Sequence, residues 1–184
     1  MPTVTNTFTN ALLADATYVH GLTAGLSEGP LKAKLSERMT PTLADYISSN
    51  FSVLTQIESG DTLLPGFSGF DATVWRQTDG KLFVSMRGTE PGQDLFVTDA
   101  DLAVTGNARA QIVDMVNWWL SETGAQGAAV RQIGYNLPGP GVPTFYEAAG
   151  SAGTGRILVA SLVNRIEVNG HGLGANDSNW RAVA

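Results

Sequence analysis

The chain opens on apolar positions three and four residues apart, Phe8, Leu12, Leu13, Ala16 and Val19, the spacing of one helical face, with Thr9 and Asn10 as candidate caps. Gly25 to Pro30 interrupts that rhythm, and Leu31, Leu35 and Met39 resume it. Thr40-Pro41 marks a new start, because a threonine oxygen can accept from the free amides and proline fits the first helical position. The helix it opens, running to Phe51, is expected to bury Leu43, Tyr46, Ile47 and Phe51. The first third therefore reads as mostly helical.

At Phe70 the period changes to two. Phe70, Ala72 and Val74 alternate with polar residues, Thr78-Asp79-Gly80 supplies a turn, and Leu82 to Met86 forms a second strand. Asp-Gly between two apolar runs predicts a hairpin, since glycine accepts the positive φ such turns need. The polar turn Arg87-Gly88-Thr89-Glu90 follows at a strand's carboxyl end, the edge where open α/β sheets bind ligands. Ala108 to Ser121 predicts a further helix with Ile112, Val113, Val116, Trp119 and Leu120 on one face and Gly124 as its stop. Trp118 and Trp119 read as packing residues. Residues 134–155, rich in glycine and proline, read as a long loop. Within it Gly150-Ser-Ala-Gly-Thr-Gly155 has a phosphate-loop flavour but lacks the lysine and the preceding strand. A helix-like stretch from Arg156 to Val163 leads into a short strand, Arg165 to Asn169.

Composition narrows the chemistry. The 184 residues are 43% hydrophobic, enough for one domain with a real core. Seventeen acidic against 11 basic residues give a net charge of −6, which offers no field for phosphate backbones, so no nucleic-acid partner is expected. Cysteine is absent and the histidines are His20 and His171, which excludes disulfides, thiolate chemistry and Cys-ligated zinc and argues against a multi-histidine metal site; any metal would have to be oxygen-ligated, and no metal or other cofactor is expected. No apolar run is long enough for a transmembrane helix. Met1 to Asn10 lacks the basic region and apolar run of a secretory signal, so a cytoplasmic location or signal-independent export is expected.

The most informative segment is Ile166-Glu-Val-Asn-Gly170-His171-Gly172-Leu173-Gly174. A strand followed by Gly-x-x-x-Gly is the frame of a nucleophile elbow, a sharp turn that presents its middle residue to an active site. That middle residue should be serine; here it is Gly172, which has no oxygen to attack a carbonyl.

From Phe70 to Gly174 the chain resembles the class 3, fungal-type lipases of the α/β-hydrolase superfamily. The marks are the strand ending in Arg87-Gly88-Thr89, then Asp94-Leu95 through Asp99 and Asp101, then Gly170-His171-Gly172-Leu173-Gly174. The resemblance implies a partial α/β-hydrolase, lipase-like sheet with a helical amino-terminal region, in a single domain over 1–184 that stops soon after the elbow. It implies Thr89 as an oxyanion-hole residue and the Leu173 amide as the second donor, with Asp99 and Asp101 supporting the oxyanion loop. It places His171 behind the elbow rather than in the chemistry, and His20 precedes the elbow, against the superfamily order of nucleophile, acid, histidine. After Gly174 the resemblance lapses, because Ala175 to Ala184 favours turns over the expected helix. The implied activity is hydrolysis of lipid or short acyl esters by a Ser-His-Asp mechanism, with turnover lost because the serine and the later acid and histidine are missing. The alternatives are a degenerate hydrolase that binds an acyl chain or a protein, and a truncated product without function. An uncovered edge strand would favour self-association.

Overall fold

The computed structural model describes residues 4–58, 69–87, 109–136, 145–157 and 166–170. Helices α1 (Val4–Ala16), α2 (Glu28–Leu35) and α3 (Pro41–Asn50) come first, followed by strand β1 (Phe51–Ile57). Strands β2 (Asp71–Gln77) and β3 (Leu82–Arg87), helix α4 (Arg109–Thr123), strands β4 (Ala129–Tyr135) and β5 (Phe145–Ala152), and strand β6 (Ile166–Gly170) complete the order. β1, β2, β3 and β6 form one mixed sheet in that order, and β4 and β5 form a separate two-stranded ribbon. Helices on both faces of a mixed sheet make this an α/β chain.

Strand alternation sorts the core. Trp75 and Phe83 are opposite each other and face the helical side, joining Phe51 and Val53 with Leu13, Leu22, Leu31, Leu35 and Ile47. Val74 and Val84, one residue along, face α4 and pack with Phe70, Met86, Met115, Trp118 and Ile157. The Asp79-Gly80 turn forms as the sequence predicts: Gly80 has φ 87°, its amide donates to the Gln77 carbonyl at 2.8 Å, and the Lys81 amide donates to Asp79 Oδ1 at 2.9 Å.

Several expectations are corrected. α1 already begins at Val4, so Thr9 and Asn10 lie inside it, and Thr9 is buried while Phe8 is about half exposed. The helix is turned this way because it covers a polar part of the sheet, as described below. Pro30 does not break the chain; it lies in the first turn of α2, where its missing amide has no helical partner to lose. Thr40 and Pro41 do open α3, although the threonine side chain makes no capping bond. Ala44, Ile47 and Ser48 are the buried residues of that helix, with Leu43 and Tyr46 packed at its margin.

The helical first third also contains a strand unforeseen in the sequence, β1, whose Phe51, Val53 and Thr55 are buried at alternate positions. Of the face expected on α4, Val113 is buried and Ile112, Val116 and Trp119 pack partly buried against the sheet's core, while Gln111, Met115, Trp118 and Glu122 are buried as well, because the helix lies between that core and the ribbon. The long loop expected over 134–155 instead contains β5 and the end of β4, paired antiparallel from Tyr135 with Phe145 to Ala129 with Ala152. Arg156 and Ile157 are not helical, and 158–165 lie outside the described residues. The strand expected from Arg165 is β6.

Candidate functional site

β3 and β6 run parallel, with Leu82 beside Ile166 and Met86 beside Gly170. Their carboxyl ends, Arg87 and Gly170, therefore leave the sheet at the same edge. Both motifs singled out in the sequence begin there. Of the site residues, Arg87 and Gly170 are described, whereas Gly88, Thr89, Asp99, Asp101, His171, Gly172, Leu173 and Gly174 lie outside the described residues.

Arg87 is fixed by the strand opposite it. It pairs in register with Asp71, and its guanidinium forms an ion pair with the Asp71 carboxylate, both side chains more than nine-tenths buried. The Tyr18 ring lies 5.7 Å from the same guanidinium and 4.4 Å from that of Arg38, which in turn holds Asp15 at 2.7 Å. A chain of alternating charge and π face thus runs from the surface of α1 to the end of β3. Arg87 is tied back into the sheet by Asp71 at the last position of β3.

Two pairs further into the sheet, Thr73, Ser85 and Asn169 form a row across β2, β3 and β6. All three are buried. Asn169 Nδ2 donates to Asn10 Oδ1 at 3.2 Å, so the polar stripe of α1 lies on the polar end of the sheet. Thr73 Oγ1, Ser85 Oγ and Asn169 Oδ1 are buried without a hydrogen-bond partner among the described residues. Each such atom costs about 1–3 kcal/mol relative to a satisfied one. Nothing in the sequence motifs marked Asp71, Thr73, Ser85 or Asn169. The available signal was their alternation with Ala72, Val74, Val84, Met86 and Val168.

The glycine run from Gly150 is used differently from a phosphate loop. The amides of Thr154, Gly155 and Ile157 donate to the carbonyls of Ser121, Gly124 and Glu122 at 2.8 to 3.0 Å, closing the carboxyl end of α4. A Cβ on Gly153 would come within 2.3 Å of the Ala125 carbonyl oxygen, so glycine is required for this close approach. Those amides face the negative pole of a helix, where an anion is disfavoured. Arg156 secures the same corner, holding the buried Glu122 carboxylate at 2.9 Å and the Thr55 hydroxyl at 3.3 Å.

His20 is exposed and bonds Glu58 Oε1 at 3.1 Å, far in sequence from either motif. Among the described residues no group of three or more histidines, cysteines or acidic residues could hold a metal ion. No helix among them is long and apolar enough to cross a membrane. Comparison with known proteins returns no match. No family model, no curated protein and no solved structure is similar to the chain.

Proposed function

We propose that this chain is a lipase-like α/β-hydrolase domain whose catalytic frame lacks its nucleophile. The observation that supports the reading is the parallel register of β3 and β6, which brings Arg87 and Gly170, the residues at which the two sequence motifs begin, to one sheet edge. In open α/β sheets ligands bind outside such carboxyl ends. On this reading Thr89 and the Leu173 amide are the donors for a developing oxyanion, a contribution of about 3–4 kcal/mol for one good donor. The ligand is a lipid or short acyl ester, with no cofactor and no nucleic acid.

Attack on an ester carbonyl needs an oxygen at the elbow, and Gly172 supplies none. Ester turnover is therefore absent. The test has two arms. Incubation with a fluorophosphonate probe and with p-nitrophenyl esters of several chain lengths is expected to give no active-site label and no hydrolysis above an unrelated protein; label or turnover overturns the inactive reading. Gly172→Ser is expected to label slowly, aided by the oxyanion donors alone, and Thr89→Ala in that background to abolish the label. A Gly172→Ser protein as inert as the parent, with unchanged melting, counts against the frame itself.

A further inference from the structure

The buried polar atoms that lack a hydrogen-bond partner among the described residues are not scattered. Thr73 Oγ1, Trp75 Nε1, Ser85 Oγ, Glu167 Oε2 and Asn169 Oδ1 all belong to odd-numbered positions of β2, β3 and β6. In these strands, paired odd with odd, those positions share one face, the face on which Trp75 and Phe83 meet the helices. The other face, carrying Ala72, Val74, Leu82, Val84 and Met86, packs against α4 as an apolar surface.

The row of Thr73, Ser85 and Asn169 has a spacing that selects what can join it. Neighbouring strands lie about 4.8 Å apart, so facing side-chain oxygens stand beyond a direct bond, and within reach of one molecule that makes two bonds of about 2.8 Å each. The opposite wall is polar as well: α1 packs on β3 and β6, its Thr9 is buried, and Asn10 Oδ1 accepts from Asn169 Nδ2 at 3.2 Å. The orphan atoms are of both kinds. The Trp75 indole N–H only donates, the Asn169 amide oxygen and the Glu167 carboxylate oxygen only accept, and the two hydroxyls do either. A cation would serve the oxygens and leave the indole unserved, and an anion would do the reverse. Water serves both.

We propose that the seam between α1 and this end of the sheet is a water-binding site, in which one internal water bridges Thr73 Oγ1 to Ser85 Oγ and a second bridges Ser85 Oγ to Asn169 Oδ1. Each is held by two fixed protein oxygens and covered by α1, the setting in which buried water is a lasting part of a structure. The middle of α1 thus docks through water, and its last turns through Leu12, Leu13 and Ala16. The site uses none of the groups of the ester-hydrolase reading, so either can fail without the other.

Oxygen-17 relaxation dispersion of the water signal, which detects internal water held for longer than molecular tumbling, tests it on the full chain. The chain is expected to show such a dispersion, Ser85→Ala, which removes the partner common to both waters, to lower its amplitude at least twofold, and Ser52→Ala, a hydroxyl on β1 outside the seam, to leave it unchanged. Thr73→Val keeps the side-chain shape and removes one bridging hydroxyl. It is expected to lower the denaturation midpoint, because a water then loses a partner, whereas at a dry, unserved hydroxyl the same change raises the midpoint. The midpoint is expected to be the same in sodium and potassium chloride at equal ionic strength. No long-held water in the full chain, an amplitude unmoved by Ser85→Ala, a midpoint raised by Thr73→Val, or one that follows the identity of the cation overturns the proposal.

Discussion

The two sheets are built on opposite terms. In β2 and β3 the side chains from Asp71 to Trp75 and from Leu82 to Arg87 are buried on both faces, because helices cover both. In β5 seven of eight side chains are exposed, and among the described residues the element that packs on the ribbon is α4. The main sheet is held by apolar burial. The ribbon is held by polar bonds to one helix: Asn117 Oδ1 accepts from the Ile133 amide at 2.7 Å, Asn117 Nδ2 donates to the Ile133 carbonyl at 2.8 Å, and Gln132 Nε2 donates to the Ser121 hydroxyl at 3.2 Å while also reaching Ser151 across the ribbon at 2.9 Å. A two-stranded ribbon is marginal by itself, so directional bonds from a packed helix substitute for the third strand it lacks. The contrast is between a region that resists change anywhere and one that depends on a few side chains.

Substitutions can break that contrast in order of size. Trp75→Ala removes the largest fully buried side chain and is expected to cost about 4 kcal/mol, read as a fall in chemical-denaturation midpoint. Asp71→Ala strands the buried Arg87 guanidinium and is expected to cost about 3 kcal/mol. Substituting Asp71 and Arg87 together by well-packed apolar residues is expected to restore much of that loss, and a double variant as unstable as the single would contradict the account. Asn117→Ala is expected to cost about 1–2 kcal/mol, concentrated in the ribbon. Amide exchange should then accelerate in 129–135 and 145–152 while β2 and β3 stay protected; uniform acceleration would erase the distinction between the regions. Glu147→Ala removes an ion pair whose side chains are 61% and 85% exposed, and a change below about 0.5 kcal/mol in melting analysis is expected.

The same contrast explains what the sequence disclosed. β2, β3 and the turn between them were legible because Asp79-Gly80 stands between two apolar runs. β5 was not, because Phe-Tyr-Glu-Ala-Ala-Gly-Ser-Ala carries no buried face for a period to record. Its ladder is set by β4 and the bonds from α4, information that exists only once the helix is in place. β1 was hidden for another reason: it begins directly where α3 ends, so Phe51 fits the helical face as well as the strand. At the candidate site the glycine frame and Arg87 were visible as motifs. The buried row of Thr73, Ser85 and Asn169 was not, because a polar residue inside a strand ordinarily marks the solvent face, and only the docking of α1 reverses that reading.

The parallel pairing of β3 with β6 also fixes an order of events. β1, β2 and β3 join through short sequence separations, whereas β6 must return from the far side of α4 and the whole ribbon. Pairings that close so long a loop form late and slowly. Until Ile166 to Gly170 arrives, β3 is an open edge carrying Phe83, Val84 and Met86. During synthesis the chain therefore passes through a stage in which its most apolar strand is unguarded, and chaperone demand and aggregation should fall in that interval rather than on the finished fold.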